Sequence, residues 1–416
     1  PQRALHRVVA AHLWVMSMAV SRASSCCVLP RLITAQPRPR RLHTNNHVRR
    51  DFGLGRKTTK PTLTLRAAAS TSSQMGAGGP IAGAVVVADT ARVASSGAEI
   101  PLLGLGTWKL PKADTAALVC AAITRGWRHI DCACDYGNEA EVGAGIRAAL
   151  DAGVCTREEL WVTSKLWNTY HAPEHVRAAC AKSLEDLGLQ YLDLYHVHFP
   201  ISLKYVPFEQ RYPPEWVHDP AGPNPVMVYA PVPIAQTWGA MEALVDEGLV
   251  KHIGVCNFGV SLLTDLMASA RIPPAVLQIE SHPYLCQDFL VQWAQQHGVH
   301  VTCFSPLGSA SYVEMGWTKP TEGAIHEGCV QEAAAAHGAT PGQVLLRWGT
   351  QRGCSLIPKT SRPERLEENI GIFAKENTFT LSAAEMAAIS ALDRNKRYND
   401  PAEFCKGMGG PCPIYN

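Results

Sequence analysis

Eight short apolar segments that alternate with helical stretches limit the possible folds of this chain more than any other feature. These segments, rich in β-branched residues, are 102–106, 128–131, 160–165, 192–198, 252–257, 276–280, 299–305 and 354–359. Apolar residues recur at helical spacing between them, as in 113–125, 173–187, 234–247 and 340–352. Strands joined by helices run parallel, because each return crossing needs such a connection. We therefore predict an α/β fold, a (β/α)₈ TIM barrel with long loops at its carboxyl-terminal face.

An open, doubly wound sheet is the rival architecture for alternating strands and helices. Such a sheet binds dinucleotides at a glycine-rich turn of the form GxGxxG. The sequences GLGT at 104–107 and GAGI at 143–146 do not supply that turn. The barrel is therefore the preferred interpretation, and we assign it to residues 96–416.

The distribution of charge divides the chain into a basic leader and an acidic body. Residues 1–80 hold 13 Lys and Arg and one acidic residue, so 81–416 hold 25 of the 38 basic and 35 of the 36 acidic residues. The leader is rich in Arg and Ser, and its most apolar run, 10–20, is too short to cross a bilayer. We interpret it as a transit peptide, for a plastid in preference to a mitochondrion. A disordered basic tail on a cytoplasmic protein is the alternative.

The composition of the body excludes several classes of function. Its net negative charge argues against binding to nucleic acid or to a membrane surface. The 14 cysteines include no CxxC pair and no zinc-ligand spacing. We therefore predict no metal centre, and we expect the cysteines to be small buried residues in a reducing compartment.

Polar residues stand at or just beyond the carboxyl-terminal ends of seven of the eight predicted strands. They are Asp131, Lys165, His198, Asn257, Gln278, Ser305 and Lys359. In a barrel these positions meet at one mouth, where the catalytic residues of such enzymes lie. We therefore expect a single active site there.

Asp131 and Lys165 would lie on adjacent strands as a buried pair, which is either structural or catalytic. Tyr136, five residues after Asp131, favours catalysis. A phenol is a weak acid at neutral pH unless its anion is stabilised. A lysine cation about 4 Å away contributes about 4 kcal/mol at an effective dielectric near 20, or roughly three pKa units. With His198 orienting a carbonyl oxygen, this set would protonate the oxygen while a hydride donor attacks the carbon.

Eight motifs, in order, closely resemble those of the aldo-keto reductase family across residues 96–416. They are GTWKL, RHIDCACDYGNEAEVG, WVTSKLWN, YLDLYHVHFP, IGVCNF, LQIESHPYL, FSPLG and LIPKTSRPERLEEN. Within the family the sequence looks most like aldose, xylose and aldose 6-phosphate reductases, chiefly through 198–216. The resemblance implies a catalytic tetrad of Asp131, Tyr136, Lys165 and His198, in agreement with the chemical argument above.

The resemblance also implies NADPH as the cofactor. Family members hold the nicotinamide end with residues that match Asn257, Gln278 and Phe304, while Cys256 stands where a serine is usual. The other matching positions are Thr107, Trp108, Ser305, Leu307, Lys359, Thr360, Arg365, Glu368 and Asn369. Lys359, Thr360 and Arg365 among them match the cluster that grips the adenosine 2′-phosphate, which favours NADPH over NADH.

The substrate pocket is expected to be lined by Trp108, Trp167 and Phe199. Parts of 200–233 and 306–326, together with the tail after Asp393, would complete it, because loops of this length are commonly functional.

Reduction of an aldose or an aldose 6-phosphate, within polyol metabolism, is the activity that the resemblance implies. Reduction of unphosphorylated xylose and general aldehydes is the alternative. Lys204 and Arg211 are the candidate contacts for a substrate phosphate, with ordinary solvated charge as the alternative.

A Schiff-base aldolase and a non-enzymatic barrel protein are the rival functions. The first needs a neutral lysine, and the intact tetrad argues against the second. We expect a small sugar or aldehyde as the partner and a monomer or homodimer as the assembly.

Overall fold

The structure is a computed structural model that describes residues 85–410 and 412–415. The expected leader, residues 1–80, lies outside the described residues, so its role as a transit peptide stays a prediction. Among the described residues, no helix is long and apolar enough to span a membrane.

An antiparallel hairpin precedes the main sheet. Its strands are β1 (Thr90–Arg92) and β2 (Glu99–Pro101). Ile100 packs with Trp161 and Val276, which are the first residues of two barrel strands. The hairpin therefore covers the amino-terminal ends of the strands, opposite the expected active site. The hairpin begins before residue 96, which is the predicted start of the barrel.

Eight parallel strands form the main sheet and follow one another in chain order. They are β3 (Leu105–Gly106), β4 (His129–Asp131), β5 (Trp161–Leu166), β6 (Leu192–Val197), β7 (Val250–Cys256), β8 (Val276–Glu280), β9 (His300–Phe304) and β10 (Ser355–Ile357). A parallel bridge between Leu103 and Leu356 joins the two edges. Leu356 N donates to Leu102 O at 2.9 Å and Gly104 N donates to Leu356 O at 2.8 Å. The predicted barrel and its eight strands are confirmed.

Helices connect the strands and cover the outside of the barrel. They are α1 (Lys112–Thr124), α2 (Glu139–Asp151), α3 (Pro173–Leu187), α4 (Ile234–Asp246), α5 (Val260–Ser269), α6 (Asp288–Gln296), α7 (Gly328–His337), α8 (Pro341–Gln351), α9 (Pro363–Ile370), α10 (Ala383–Ser390) and α11 (Pro401–Phe404). The four segments predicted from periodicity match α1, α3, α4 and α8 within one residue at each end.

Local sequence signals set several helix boundaries. Pro173 opens α3 at the first turn, where a missing N–H costs nothing, and Gly188 ends it in a left-handed conformation. Thr340 and Gln343 cap the start of α8 reciprocally. Gly143 lets α2 approach α3, because a Cβ at this position would collide with the main chain of Leu187.

Candidate active site

A buried ion pair joins the carboxyl-terminal ends of β4 and β5. Lys165 Nζ lies 2.6 Å from Asp131 Oδ1 and 2.7 Å from the carbonyl oxygen of Cys132. Both charged side chains are at most 1% exposed. Burial lowers the pKa of Lys165, but Asp131 and then Tyr136 raise it, and the net direction is upward. The ammonium therefore stays charged at neutral pH.

Tyr136 lies beside this pair, at the end of the short helical turn Cys134–Tyr136 that follows β4. Lys165 Nζ donates to its hydroxyl oxygen at 3.2 Å. Burial raises the pKa of the phenol, the Lys165 cation lowers it by less, and the net direction is upward. The sequence-based prediction of a net decrease in this pKa is wrong. Desolvation of the phenolate outweighs the attraction of the lysine.

His198 directly follows β6 and completes the predicted tetrad. Its ring lies edge-to-face with that of Tyr136, with centroids 6.0 Å apart, and stacks on Phe199 at 4.9 Å. The barrel therefore brings all four predicted catalytic side chains to one place.

Asp135 is a polar residue at this site that the sequence reasoning did not single out. Its Oδ1 lies 3.1 Å from His198 Nδ1, but neither atom has an aligned hydrogen bond within the described residues. The only signal in the sequence was its position in the same short turn as Tyr136. Whether that turn would aim the carboxylate at His198 depends on the distance between β4 and β6, which periodicity does not give.

Two amides connect the ends of β7 and β8 to the tetrad. Asn257 follows β7 with a left-handed φ of 64°, and its Nδ2 donates to the carbonyl oxygen of His198 at 2.9 Å. Gln278 Nε2 donates to Asp131 Oδ2 at 2.7 Å. Cys256, at the end of β7, is fully buried. These three of the four residues predicted at the nicotinamide end therefore lie at the same mouth as the tetrad.

The end of β9 brings the next group of predicted cofactor residues to this mouth. Phe304 is partly exposed, so part of its ring is available for stacking. Ser305 has a left-handed φ of 49°, and its Oγ lies 2.9 Å from the hydroxyl of Tyr312. Leu307 follows and is partly buried. Unfavourable φ values of non-glycine residues often mark functional sites.

An ion pair links the loop after β3 to the loop after β9. Lys109 Nζ lies 2.5 Å from Glu314 Oε1 and 4.4 Å from the ring centroid of Trp108. Thr107 is fully buried, and its hydroxyl donates to the carbonyl oxygen of Asp131. Thr107 therefore supports the tetrad and Trp108 lies beside the linked loops.

A basic loop after β10 precedes the amino terminus of α9. Within the part of the chain that the structure describes, Arg365 and Lys359 form no ion pair, and Arg365 is exposed. The hydroxyl of Thr360 accepts from Arg362 N at 3.0 Å. Unpaired cations near a helix amino terminus suit a phosphate group. The residues present therefore fit the phosphate end of a nucleotide cofactor.

The last two predicted cofactor residues lie on α9. Asn369 is buried, and Glu368 accepts from the hydroxyl of Thr340 at 2.7 Å. One oxygen of Glu368 is therefore already used in joining α9 to the start of α8.

Comparison with known proteins agrees with this arrangement. The model of the Aldo/keto reductase family matches residues 102–394. An NAD(P)H-dependent D-xylose reductase of Pachysolen tannophilus is 49% identical over 309 residues, which cover 74% of this chain and 94% of that protein. This chain belongs to the aldo/keto reductase family.

Two further relatives cover the same region of this reductase. The NADPH-dependent aldose reductase of Saccharomyces cerevisiae is 46% identical over 317 residues, 75% of this chain and 96% of that protein. The structure of the aldose reductase from Schistosoma japonicum matches with a TM-score of 0.65 and 39% identity, over 75% of this chain and 93% of that one.

Aromatic side chains of the reductase form one connected group beside His198. Trp167 and Phe199 are buried and lie 4.9 Å and 5.2 Å, by ring centroids, from Trp216 of the long connection after β6. Trp216 in turn contacts Phe404 of the tail at 5.2 Å. Trp167 and Phe199 therefore support the wall around His198, to which the long connection and the tail also contribute. Their contact with a substrate stays a prediction.

Arg211 is held inside its own loop. Its guanidinium donates to the carbonyl oxygens of Pro214, Val217 and His218, at 3.0, 2.7 and 3.2 Å. These contacts fix the loop through Nε and Nη2, and a contact between Arg211 and a substrate phosphate stays a prediction. Lys204 is exposed and remains available.

The buried pair generates a prediction about stability. Lys165→Met leaves the Asp131 carboxylate buried without its cation, so we expect the free energy of unfolding to fall by about 3–5 kcal/mol. Adding Asp131→Asn removes the uncompensated charge and should restore part of that loss. Chemical denaturation at pH 7 measures both.

A matched control is Lys251→Met, because Lys251 pairs with Asp193 while 46% exposed. Its loss should cost less than about 1 kcal/mol. A double variant as unstable as the sum of its two single variants would contradict the coupling between Lys165 and Asp131.

Proposed function

We propose that this reductase uses NADPH to reduce the aldehyde carbon of an unphosphorylated aldose, giving a polyol. The observation that carries the proposal is the geometry around Tyr136, whose hydroxyl accepts a hydrogen bond from the buried Lys165 ammonium. The named activities of the relatives, D-xylose reductase and aldose reductase, also support it.

Tyr136 is the proposed general acid. NADPH, when bound, supplies a hydride to the carbonyl carbon of the sugar. Because Lys165 donates to the phenol oxygen, the proton of Tyr136 is free to point toward the substrate. Its raised pKa keeps that proton in place at neutral pH. As the proton passes to the carbonyl oxygen, the Lys165 cation stabilises the phenolate left behind.

His198 and Asp131 assist this transfer. Asp131 keeps Lys165 charged and fixed at 2.6 Å, so the cation does not compete for the proton. His198, whose ring faces that of Tyr136, orients the carbonyl oxygen toward the phenol. The same charged lysine disfavours Schiff-base chemistry, which requires a neutral amine.

The carboxylate of Asp135 favours a polyhydroxylated substrate. Its side chain is 17% exposed, and its Oδ1 lies 3.1 Å from His198 Nδ1 without an aligned hydrogen bond within the described residues. A largely buried acceptor without a donor costs free energy, and a hydroxyl group of an aldose would offset that cost. Nε and Nη2 of Arg211 donate within its own loop, so fewer of its donors remain for a sugar phosphate.

The first prediction from the proposed function tests Tyr136 as the general acid. Tyr136→Phe should reduce kcat at least about 100-fold, since positioned acid catalysis contributes about 10²–10⁴. NADPH binding, followed by fluorescence titration, should change little because the phenol acts on the substrate.

Tyr191→Phe is the matched control for this experiment. Tyr191 precedes β6 and so lies at the opposite end of the barrel. Turnover of Tyr136→Phe within tenfold of the parent enzyme would exclude Tyr136 as the acid.

The second prediction concerns cofactor choice. Arg365→Ala should weaken binding of NADPH by about ten- to a hundredfold, because a hydrogen bond to a charged group contributes about 1.5–3 kcal/mol. NADH lacks the 2′-phosphate and should bind almost as before. Arg177→Ala, at an exposed arginine of α3 paired with Glu247, controls for the loss of surface charge. Equal weakening of both cofactors would mean that Arg365 does not read the 2′-phosphate.

The third prediction distinguishes free from phosphorylated sugars. At saturating NADPH, we expect kcat/KM for D-xylose and D-glucose to equal or exceed that for glucose 6-phosphate and mannose 6-phosphate. Lys204→Ala should leave all four values within about threefold. A tenfold preference for the 6-phosphates that Lys204→Ala removes would instead assign the enzyme to aldose 6-phosphates.

A further inference from the structure

The tail of the chain is fixed to the carboxyl-terminal end of β8. The main-chain N–H groups of Tyr398 and Asn399 donate to the carboxylate of Glu280, at 3.0 and 2.9 Å. Arg397 Nη2 donates to Gln287 Oε1 at 3.1 Å. These contacts hold the tail at the edge of the mouth where the cofactor residues of β7 and β8 lie.

Tyr415 extends this tail to the end of β7. Its hydroxyl donates to Asn257 Oδ1 at 2.8 Å. The guanidinium carbon of Arg397 lies 3.5 Å from the centroid of the Tyr415 ring, a close cation–π contact. The anchored part of the tail therefore fixes the position of this one hydroxyl, although 158 residues separate it from Asn257.

Two contacts define the orientation of the Asn257 amide. Nδ2 donates to the carbonyl oxygen of His198 and Oδ1 accepts from Tyr415. An amide has two N–H donors and two lone pairs on its oxygen. Among the residues that the structure describes, one donor and one lone pair of Asn257 therefore remain unused, which is the complement of a carboxamide group.

Cys256, the neighbour of Asn257, does not supply a strong donor at this strand end. A thiol is a weak hydrogen-bond donor and acceptor, and Cys256 is buried. At this strand end, the Tyr415 hydroxyl is the group that donates a hydrogen bond to Asn257.

We propose that Tyr415 is a positioning residue for the nicotinamide carboxamide of the cofactor. Its hydroxyl holds Asn257 in the amide orientation that receives the carboxamide, and Asn257 in turn fixes the main chain of His198. This inference rests on the proposed function, because it requires a nicotinamide at the end of β7. Tyr415 does not touch the reacting atoms and acts through Asn257.

The test uses Tyr415→Phe, which removes the hydroxyl and keeps the ring on Arg397. We expect the Kd of NADPH and of NADH to rise together, about threefold to tenfold, as for the loss of one neutral hydrogen bond. Both cofactors carry the carboxamide, so the variant should not distinguish them. The binding of 2′,5′-ADP, which has no nicotinamide, should stay within twofold. Fluorescence titration and calorimetry measure these constants without turnover.

A double-variant cycle tests the route through Asn257. In an Asn257→Ala background, Tyr415→Phe should have no further effect on the Kd of NADPH. Tyr191→Phe is the matched control, because Tyr191 precedes β6 and so lies at the opposite end of the barrel. It should leave all constants unchanged, and the thermal midpoints of the two Tyr→Phe variants should agree within about 2 °C.

Several outcomes would overturn the inference. An unchanged Kd for NADPH in Tyr415→Phe, additive effects with Asn257→Ala, or equal weakening of 2′,5′-ADP would each exclude a carboxamide role. A parent enzyme that binds neither NADPH nor NADH would instead refute the proposed function. The two failures are therefore distinguishable in one set of titrations.

Discussion

The active end of this barrel depends on one ammonium group with no unused donor. Lys165 Nζ has three N–H bonds, and it lies within hydrogen-bond distance of Asp131 Oδ1, Cys132 O and the Tyr136 hydroxyl. Gln278 satisfies the second oxygen of Asp131. Burying two charges is costly, and only such complete pairing offsets that cost. The Tyr136 hydroxyl therefore completes the hydrogen bonding of a buried lysine.

The barrel makes this pairing possible because it closes. Adjacent parallel strands set Asp131 and Lys165 side by side, while Gln278 reaches Asp131 from β8, on another part of the ring of strands. Asn257 similarly joins β7 to the main chain of His198 after β6. Links between side chains and strand ends hold the mouth as a unit, so a change at one strand end affects residues supplied by others.

The sequence predicted the strands, the barrel and the set of residues at its mouth because these follow from local patterns. A strand end is visible in the sequence, and parallel topology brings all strand ends to one face. The contacts of Arg211 with three carbonyl groups and the reach of Tyr415 to Asn257 could not be predicted. They depend on the path of irregular loops, which carry no periodicity. The short strands β1 and β2 were not predicted, because three residues are too few to show the alternation of a strand.

The direction of the Tyr136 pKa shift shows a second limit of prediction from sequence. The sequence indicates which groups lie together, but not which of their opposing effects is larger. Placing a lysine beside a phenol gives the sign of one interaction, but burial acts on the same group with the opposite sign and is larger here. A lowered pKa would leave part of the phenol ionised before the substrate arrives. A raised pKa keeps the resting phenol protonated. Burial and the Lys165 cation both act on the phenolate, with opposite signs, so the cation offsets part of the desolvation cost as the proton leaves.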